Sequence, residues 1–186
     1  VEQEQKRNYQ PYRLRGKEIY EPKELAVYLA ERWEDGVKHF GRGFITDWVK
    51  GELKDQGLAS DLTDITEDEE LDGDQKLSAA LLVMNQELPL MWMGEMVTRE
   101  WLAGNLDKLH IEKLLKGKLP TLLKEAGGEE WLVEFLEVFK EIEADENLAD
   151  ENYKKEICKL VLNPELPFMF EGEEVTSEWM AGNIDL

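Results

Sequence analysis

The sequence contains one cysteine, two histidines and no long apolar run, and each scarcity excludes a class of protein. The single cysteine, Cys158, cannot form a disulfide within the chain, which is typical of a protein from a reducing cytoplasm. Because no apolar run approaches the roughly 20 residues that a bilayer span needs, no membrane-spanning segment is expected. The chain opens with neither an initiator methionine nor a signal core, so we expect a piece of a longer protein.

Motifs for catalysis and for metal or phosphate binding are also missing. The sequence has no Walker loop, no GxSxG, no HExxH and no paired cysteines, and we assign structural or merely exposed roles to His39 and His110. The acidic stretch from Asp68 resembles the first half of a calcium loop, but Ala79 occupies the position that needs a bidentate glutamate. We therefore expect no enzyme activity, no cofactor and no metal.

Basic residues are scarce and unevenly distributed. The 22 Lys and Arg against 42 Asp and Glu give a net charge of −20, which argues against binding to nucleic acid or to an anionic membrane. The first 50 residues carry ten basic and nine acidic side chains, so nearly all of the excess acid lies in the remaining 136 residues. This pattern predicts either solvated helix faces or a surface that meets a basic protein partner.

The sequence does contain an internal repeat with a period of 78 residues. The stretch from Met84 to Asp107 matches the stretch from Leu162 to Asp185 at 15 of 24 positions without a gap. A third and more diverged copy runs from Pro11 to Ala26, where the proline and the glycine keep the same spacing. A match of this length at a fixed period indicates one structural unit that is used three times.

Each copy predicts a strand, a tight turn, a second strand and a short helix. Apolar residues alternate after the proline, as in a strand with one buried face, and the following glycine suits a hairpin turn. Thr98 and Thr176 are natural N-caps for the short helix, and Gly104 and Gly182 are suited to end it in the left-handed conformation. The side chains that we expect to be largely buried are Tyr12, Leu14, Leu90, Trp92, Trp101, Phe168, Phe170 and Trp179.

Helical spacers separate these blocks. An apolar stripe from Trp131 to Ile142 predicts one helix, and residues 76–84 and 154–162 predict two equivalent helices. The expected fold class is α+β, mostly helical, as a tandem repeat of hairpin-plus-helix blocks. The predicted units are residues 1–86 with a hairpin block at about 11–26, residues 87–164 with a block at about 88–105, and residues 165–186 as a partial unit that packs on the preceding helices.

The first strands of the three copies differ on the face opposite the shared apolar one. That face carries two arginines in the first copy, Met91 and Met93 in the second, and a methionine and a glutamate in the third. Met96 continues the apolar character beyond the middle turn. The middle hairpin is therefore expected either to lie between two helical layers or to expose Met91, Met93 and Met96 as a docking patch, for which adaptable methionines are well suited.

The segment GKEIYEPKELAVYLAERWEDGVKHFGRGFITDWV, from Gly16 to Val49, resembles accessory repeats of large bacterial multidomain proteins. Those proteins carry a heat-shock chaperone-type ATPase domain or a kinase-like domain. The resemblance implies an accessory, chaperone-associated region, and it assigns no site residues because the segment holds no catalytic motif.

The sequence therefore predicts a non-catalytic protein-interaction or scaffold module within a larger bacterial cytosolic protein. The alternative is a ligand-binding or regulatory sensor region that uses a pocket between repeats. An exposed apolar surface would favour the first function, and a deep pocket with converging polar groups would favour the second. The sequence defines neither the identity of the partner nor the oligomeric state.

Overall fold

The computed structural model of the protein describes residues 7–109 and 111–183. Over these residues the chain is mostly helical and forms three separate two-stranded antiparallel hairpins, which confirms the predicted α+β class. His110 and the last three residues of the third block lie outside the described residues.

The secondary-structure elements alternate between hairpins and groups of helices. In chain order they are β1 (Tyr12–Leu14), β2 (Lys17–Ile19), α1 (Pro22–Ala30), α2 (Trp33–Gly41), α3 (Phe44–Trp48), a π-helical turn (Val49–Leu53), α4 (Gln56–Glu67), α5 (Gly73–Met84), β3 (Met91–Trp92), β4 (Glu95–Met96), α6 (Arg99–Gly104), α7 (Leu106–Leu109), a 3₁₀ segment (Ile111–Leu115), α8 (Leu119–Glu125), α9 (Glu130–Ala144), α10 (Glu151–Leu162), β5 (Met169–Phe170), β6 (Glu173–Glu174) and α11 (Ser177–Asn183). The helices predicted at 76–84, 131–142 and 154–162 lie within α5, α9 and α10.

The chain divides into two compact units. Unit 1 comprises residues 1–97 and 112–130, and unit 2 comprises residues 98–111 and 131–186. The repeat boundaries at 86 and 164 stay a prediction, because they are defined by sequence identity rather than by compactness.

Helix α5 is the centre of unit 1. Its side chains are buried on every side, including Leu77, Ala80 and Leu81, as expected of a helix enclosed by other elements. Helices α1, α2, α4 and α8 pack around it. Gly36 on α2 permits a close approach, because a Cβ there would meet a methyl group of Leu77 at 2.8 Å.

The three hairpins share one turn conformation. In each, the first central residue (Arg15, Met93 or Glu171) has a φ between 49° and 51°, and the following glycine has a φ between 80° and 85°. Positive φ at both central residues defines a type I′ turn, whose twist matches that of the flanking strands. The first position strains any side chain other than Gly, Asn or Asp, at a cost of about 1 kcal/mol.

The short helices begin as predicted. The Thr98 hydroxyl accepts the backbone N–H of Trp101 at 3.0 Å, and the Thr176 hydroxyl accepts that of Trp179 at the same distance. Each bond satisfies one of the N–H groups that a helix start leaves without a backbone partner.

The prediction that Gly104 and Gly182 end these helices in the left-handed conformation is wrong. Both glycines remain within their helices, and neither has a positive φ. The following residue supplies the interaction instead, since the Asn105 side-chain amide donates to the Trp101 carbonyl at 2.7 Å. Asn183 makes the equivalent bond at 2.7 Å.

Of the eight side chains predicted to be buried, the four in the first two hairpins are buried and the other four are not. The hairpin residues Tyr12, Leu14, Leu90 and Trp92 are buried, as expected. The prediction is wrong for four others, because Trp101, Phe168 and Trp179 are half-buried and Phe170 is exposed.

The exposure of Trp101 and that of the aromatic residues in the third hairpin block have separate physical reasons. Helix α6 turns Leu102 and Ala103 inward, which leaves Trp101 at the edge of its buried face. In the third hairpin block, Phe170 contacts the rings of Tyr153 on α10 and of Trp179, and each of these rings keeps part of its surface in solvent.

The calcium-like loop is bound to a neighbouring backbone segment. The Asp68 carboxylate accepts the N–H of Lys118, and the Glu70 carboxylate accepts the N–H of Gly117, both at 2.9 Å. Asp72 caps α5 in a capping box with Gln75. Asp68, Glu70 and Asp72 therefore have structural partners within unit 1.

Gly117→Ala should destabilise unit 1 by about 2–4 kcal/mol. The new Cβ would overlap the Asp68 carboxylate, and Gly117 already has a φ of +50°, so that steric overlap adds to backbone strain. Urea unfolding monitored by tryptophan fluorescence measures the loss. Gly16→Ala is the matched control, since Gly16 has a φ of +80° and open space around it. If both variants lose the same free energy of unfolding, the overlap with Asp68 does not contribute to the destabilisation.

An aromatic cluster with one histidine lies beneath the first hairpin. The Tyr12 hydroxyl and the Nδ1 of His39 are 2.6 Å apart, and the rings of Trp48 and Phe44 contact this pair edge-on. Burial raises the pKa of Tyr12 to about 12, so that its hydroxyl is the donor near neutral pH. Burial also lowers the pKa of His39 below its ordinary 6.5, despite the opposing effect of Asp35.

Unit 1 should lose stability as the pH falls below about 6.5. The folded pKa of His39 is the lower one, so the unfolded state binds its proton first, and the stabilisation present above 6.5 is lost toward the folded pKa. Lys38 and Arg42 act in the same direction as burial. The midpoint of urea unfolding is measured at pH 7.5 and at pH 5.5, for the wild type and for His39→Gln. The drop in midpoint between the two pH values should be smaller in His39→Gln, and a drop as large as that of the wild type would contradict the prediction.

Candidate interaction surface

The three methionines of the predicted patch do not share one environment. Met91 is buried, with 8% of its surface exposed, whereas Met93 is 60% exposed and Met96 is 50% exposed. Met91 and Met96 are backbone partners across the hairpin, but only Met96 reaches solvent. Of the two explanations for this hairpin, burial applies to Met91 and exposure applies to Met93 and Met96. We call the latter pair the methionine tip.

Unit 1 anchors the base of this hairpin through polar contacts. The Ser78 hydroxyl on α5 donates to the Met91 carbonyl at 2.7 Å. The buried carboxylate of Glu129 accepts the N–H of Leu90 at 3.0 Å. Breaking this buried hydrogen bond would leave a polar group without a partner, so it holds Leu90 in one geometry. The hairpin therefore projects the methionine tip from a fixed base.

Packing fixes the same hairpin from two further sides. The Trp92 ring is buried, with the Lys113 ammonium 5.9 Å from its centroid. At the turn, Gly94 lies beside the end of α1, where a Cβ would be in ordinary van der Waals contact with the Ala30 carbonyl oxygen at 3.5 Å. Glu95, between the two methionines in sequence, is exposed. The tip is consequently an apolar pair beside a carboxylate.

Further exposed apolar side chains, in unit 2, were not predicted. Helix α10 ends with Leu160 and Val161 each 37% exposed, and the third hairpin block adds Phe170 at 37% and Met180 at 54%. The rings of Tyr153 and Trp179 contact Phe170 with centroids 6.3 and 5.8 Å away. One feature of the sequence sets this region apart: no Lys or Arg occurs after residue 159, while glutamates surround the third turn.

A wide cleft of about 990 Å³ lies within unit 1. Its walls come from the starts of α1 and α4, the end of α5 and the loop after α8. The lining residues are Glu21, Pro22, Lys23, Asp55, Gly57, Leu58, Asp61, Val83, Met84, Gln86, Glu87, Ala126, Gly127 and Gly128. Every charged side chain among them is exposed, and two of them, Lys23 and Glu87, pair with each other at 3.2 Å.

The remaining reactive group is Cys158. It is buried on α10, and burial, together with nearby Glu143, raises the pKa of its thiol to about 11. Because the thiolate is the reactive form, this cysteine is inert near neutral pH. Within residues 7–109 and 111–183, no cluster of three or more potential ligands is placed to hold a metal ion. None of the helices in the described part of the chain is both long and apolar enough for a membrane span.

Comparison with known proteins adds no relative. No protein family model, no curated protein sequence and no solved structure matches this chain.

Met93→Asn should raise the stability of unit 1 by roughly 0.5–1 kcal/mol. Asparagine tolerates the positive φ of 49° that strains methionine at this turn, and Asn-Gly is a preferred type I′ pair. The midpoint of urea unfolding measures the gain. Met96→Asn is the control, because Met96 is also at least half exposed but lies in a strand, where asparagine is disfavoured. A gain of the same size in Met96→Asn would rule out relief of turn strain as the cause.

Proposed function

We propose that this chain is a non-catalytic protein-interaction module, a tandem-repeat scaffold that presents a short hairpin to a protein partner. The observation that supports this proposal is the methionine tip, which is 50–60% exposed on a hairpin whose base is hydrogen-bonded to Ser78 and Glu129. A rigid base lowers the entropy that binding must offset. The flexible thioether side chains adapt to the shape of the partner.

The charge of the protein indicates the chemistry of that partner. The tip is apolar, Glu95 is exposed within it, and the whole chain carries a net charge of −20. An apolar surface with basic groups around it would match both features, and complementary charge would accelerate association. Nucleic acid and anionic membranes are negatively charged, so they would repel this protein.

The alternative of a ligand sensor has less support. Ligand pockets usually bury most of the ligand and aim a few polar groups at it. The cleft in unit 1 is lined by charged side chains that are all exposed. We therefore place protein interaction first. That the module belongs to a larger, chaperone-associated bacterial cytosolic protein stays an implication of the resemblance in residues 16–49.

Removing the methionine tip should weaken partner binding without unfolding the protein. Burying a methionine side chain contributes about 1.5–3 kcal/mol; two that are half-exposed contribute roughly 2 kcal/mol, or about 30-fold in affinity. The test compares the proteins captured by immobilised wild type with those captured by Met93→Asn/Met96→Thr, followed by calorimetry on each purified candidate.

Val27→Thr is the matched control, because Val27 is also apolar and 43% exposed in unit 1 but lies on α1. Wild type and Val27→Thr should bind the same partner with equal affinity. A partner that binds the double methionine variant as tightly as wild type would refute the role of the tip.

A further inference from the structure

Four aromatic side chains of unit 2 form one connected cluster around the third hairpin. The Tyr153 ring contacts the rings of Phe168 and Phe170, whose centroids are 5.8 and 6.3 Å away. The Phe170 ring in turn contacts the Trp179 ring, with the two centroids 5.8 Å apart. Neighbouring ring planes meet at angles between 63° and 89°, so the rings are not stacked on one another. We call Tyr153, Phe168, Phe170 and Trp179 the ring cluster.

The ring cluster is incompletely covered. Phe170 is 37% exposed, and the other three rings are half-buried. Among the described residues, no lysine or arginine lies over any of these rings. Lys154, the neighbour of Tyr153 in sequence, pairs with Glu143 at 3.6 Å instead. The faces of the rings, which carry the negative part of the aromatic quadrupole, therefore have no cation over them from the described part of the chain.

One carboxylate belongs to the same site. Glu173 lies opposite Phe170 in the hairpin, and side chains of directly opposed residues project from the same face of a strand pair. The Glu173 carboxylate accepts the indole N–H of Trp179 at 2.7 Å, which fixes that ring beside the hairpin. Glu173 is exposed and makes no ion pair within residues 7–109 and 111–183. The ring cluster is therefore bordered by a carboxylate that still lacks a cationic partner in those residues.

The first and second hairpin blocks place a cation of this chain beside their aromatic rings. In the first block, the Arg7 guanidinium lies 4.5 Å from the ring centroid of Tyr20 and 3.9 Å from the carboxylate of the next residue. In the second block, the Lys113 ammonium lies 5.9 Å from the ring centroid of Trp92. Phe170 is the residue 78 positions after Trp92. A hairpin ring is thus a place where this fold accepts a cation.

Arginine suits the ring cluster better than other cations do. Its guanidinium is planar and less strongly hydrated than an ammonium, so it stacks on an aromatic face more readily than lysine does. Its N–H groups can pair with a carboxylate while its plane lies on a ring. A quaternary ammonium is also attracted to aromatic faces, but it has no N–H to donate to Glu173. The site therefore favours a cation that both stacks and donates.

We propose that the ring cluster and Glu173 bind an arginine side chain of a partner protein. The guanidinium stacks on the exposed Phe170 ring and donates to the Glu173 carboxylate, while Tyr153 and Trp179 hold the Phe170 ring from its sides. The site lies in unit 2 and shares no residue with the methionine tip. Failure of this proposal and failure of the function proposed above are therefore distinguishable, because different variants test them.

Binding of synthetic peptides to the full chain tests the choice of cation. The probes are three capped glycine peptides of equal length that carry two arginines, two lysines or two trimethyllysines. The arginine peptide should bind at least about 5-fold more tightly than the other two. It should also shift the NMR signal of the Trp179 indole N–H, which is identified by its loss in Trp179→Phe.

Three results would overturn the proposal. Equal affinity for the arginine and lysine peptides would mean that the acidic protein attracts any peptide of that charge. Equal or tighter binding of the trimethyllysine peptide would show that donation to Glu173 does not contribute. An indole signal that the arginine peptide does not shift, even at millimolar concentration, would show that the ring cluster is not the site.

Two neighbouring glutamates provide a matched pair of variants. Glu173→Gln removes the charge beside Phe170 but keeps an oxygen for the Trp179 N–H, so affinity for the arginine peptide should fall about 5- to 10-fold. Glu174→Gln changes the net charge equally but on the opposite face of the hairpin, because Glu174 is paired with Met169. Its affinity should stay within about 2-fold of wild type. Equal losses in the two variants would refute the site.

Phe170→Leu tests the stacking contact. Leucine keeps an apolar side chain at a position that is 37% exposed, so the thermal unfolding midpoint should stay within about 4 °C of wild type. Affinity for the arginine peptide should fall at least about 5-fold, because leucine has no aromatic face. An unchanged affinity would exclude stacking on Phe170. Should Phe170→Leu unfold, the comparison of Glu173→Gln with Glu174→Gln still decides the proposal, since both change exposed side chains.

Discussion

A two-stranded hairpin of two or three residues per strand is not stable in water by itself. The hairpins of this protein therefore depend on the helices that cover them. Leu14 and Ile19 in the first hairpin and Leu90 and Trp92 in the second are all buried. Each of these hairpins lies in unit 1, around the enclosed helix α5. Coverage by helices, rather than strand pairing, is what makes the short strands persist.

The same dependence explains why equivalent side chains differ in exposure. A methionine, a phenylalanine or a tryptophan in a block is equally apolar in each copy, but its burial is decided by whatever segment lies over it. Lys113 and Glu129 do this for the second hairpin, whereas the third relies on the rings of Tyr153 and Trp179. Sites of interaction in such a chain arise where covering is incomplete.

Periodicity within the sequence predicted the local elements well. Alternation and glycine placement located the hairpins, and Thr98 and Thr176 were correctly identified as N-caps, because these features depend on neighbours a few residues away. Exposure could not be predicted in this way. The difference between Met91 and Met96, and that between Trp92 and Phe170, depends on contacts with Ser78, Lys113 or Glu129, which are 13 to 39 residues away in the chain. The period of 78 gives no information about which copy lacks such a contact.

Incomplete coverage also links stability to binding. A ligand that binds only the folded state stabilises it by RT ln(1 + [L]/Kd), about 2.7 kcal/mol when the ligand is at 100 times its Kd. A partner that binds the methionine tip would therefore stabilise unit 1 in the same way, although the hairpin is already held by Ser78 and Glu129. One fold thus contains two kinds of hairpin: the second has Leu90 and Trp92 buried before any binding, whereas the third keeps Phe170 partly in solvent.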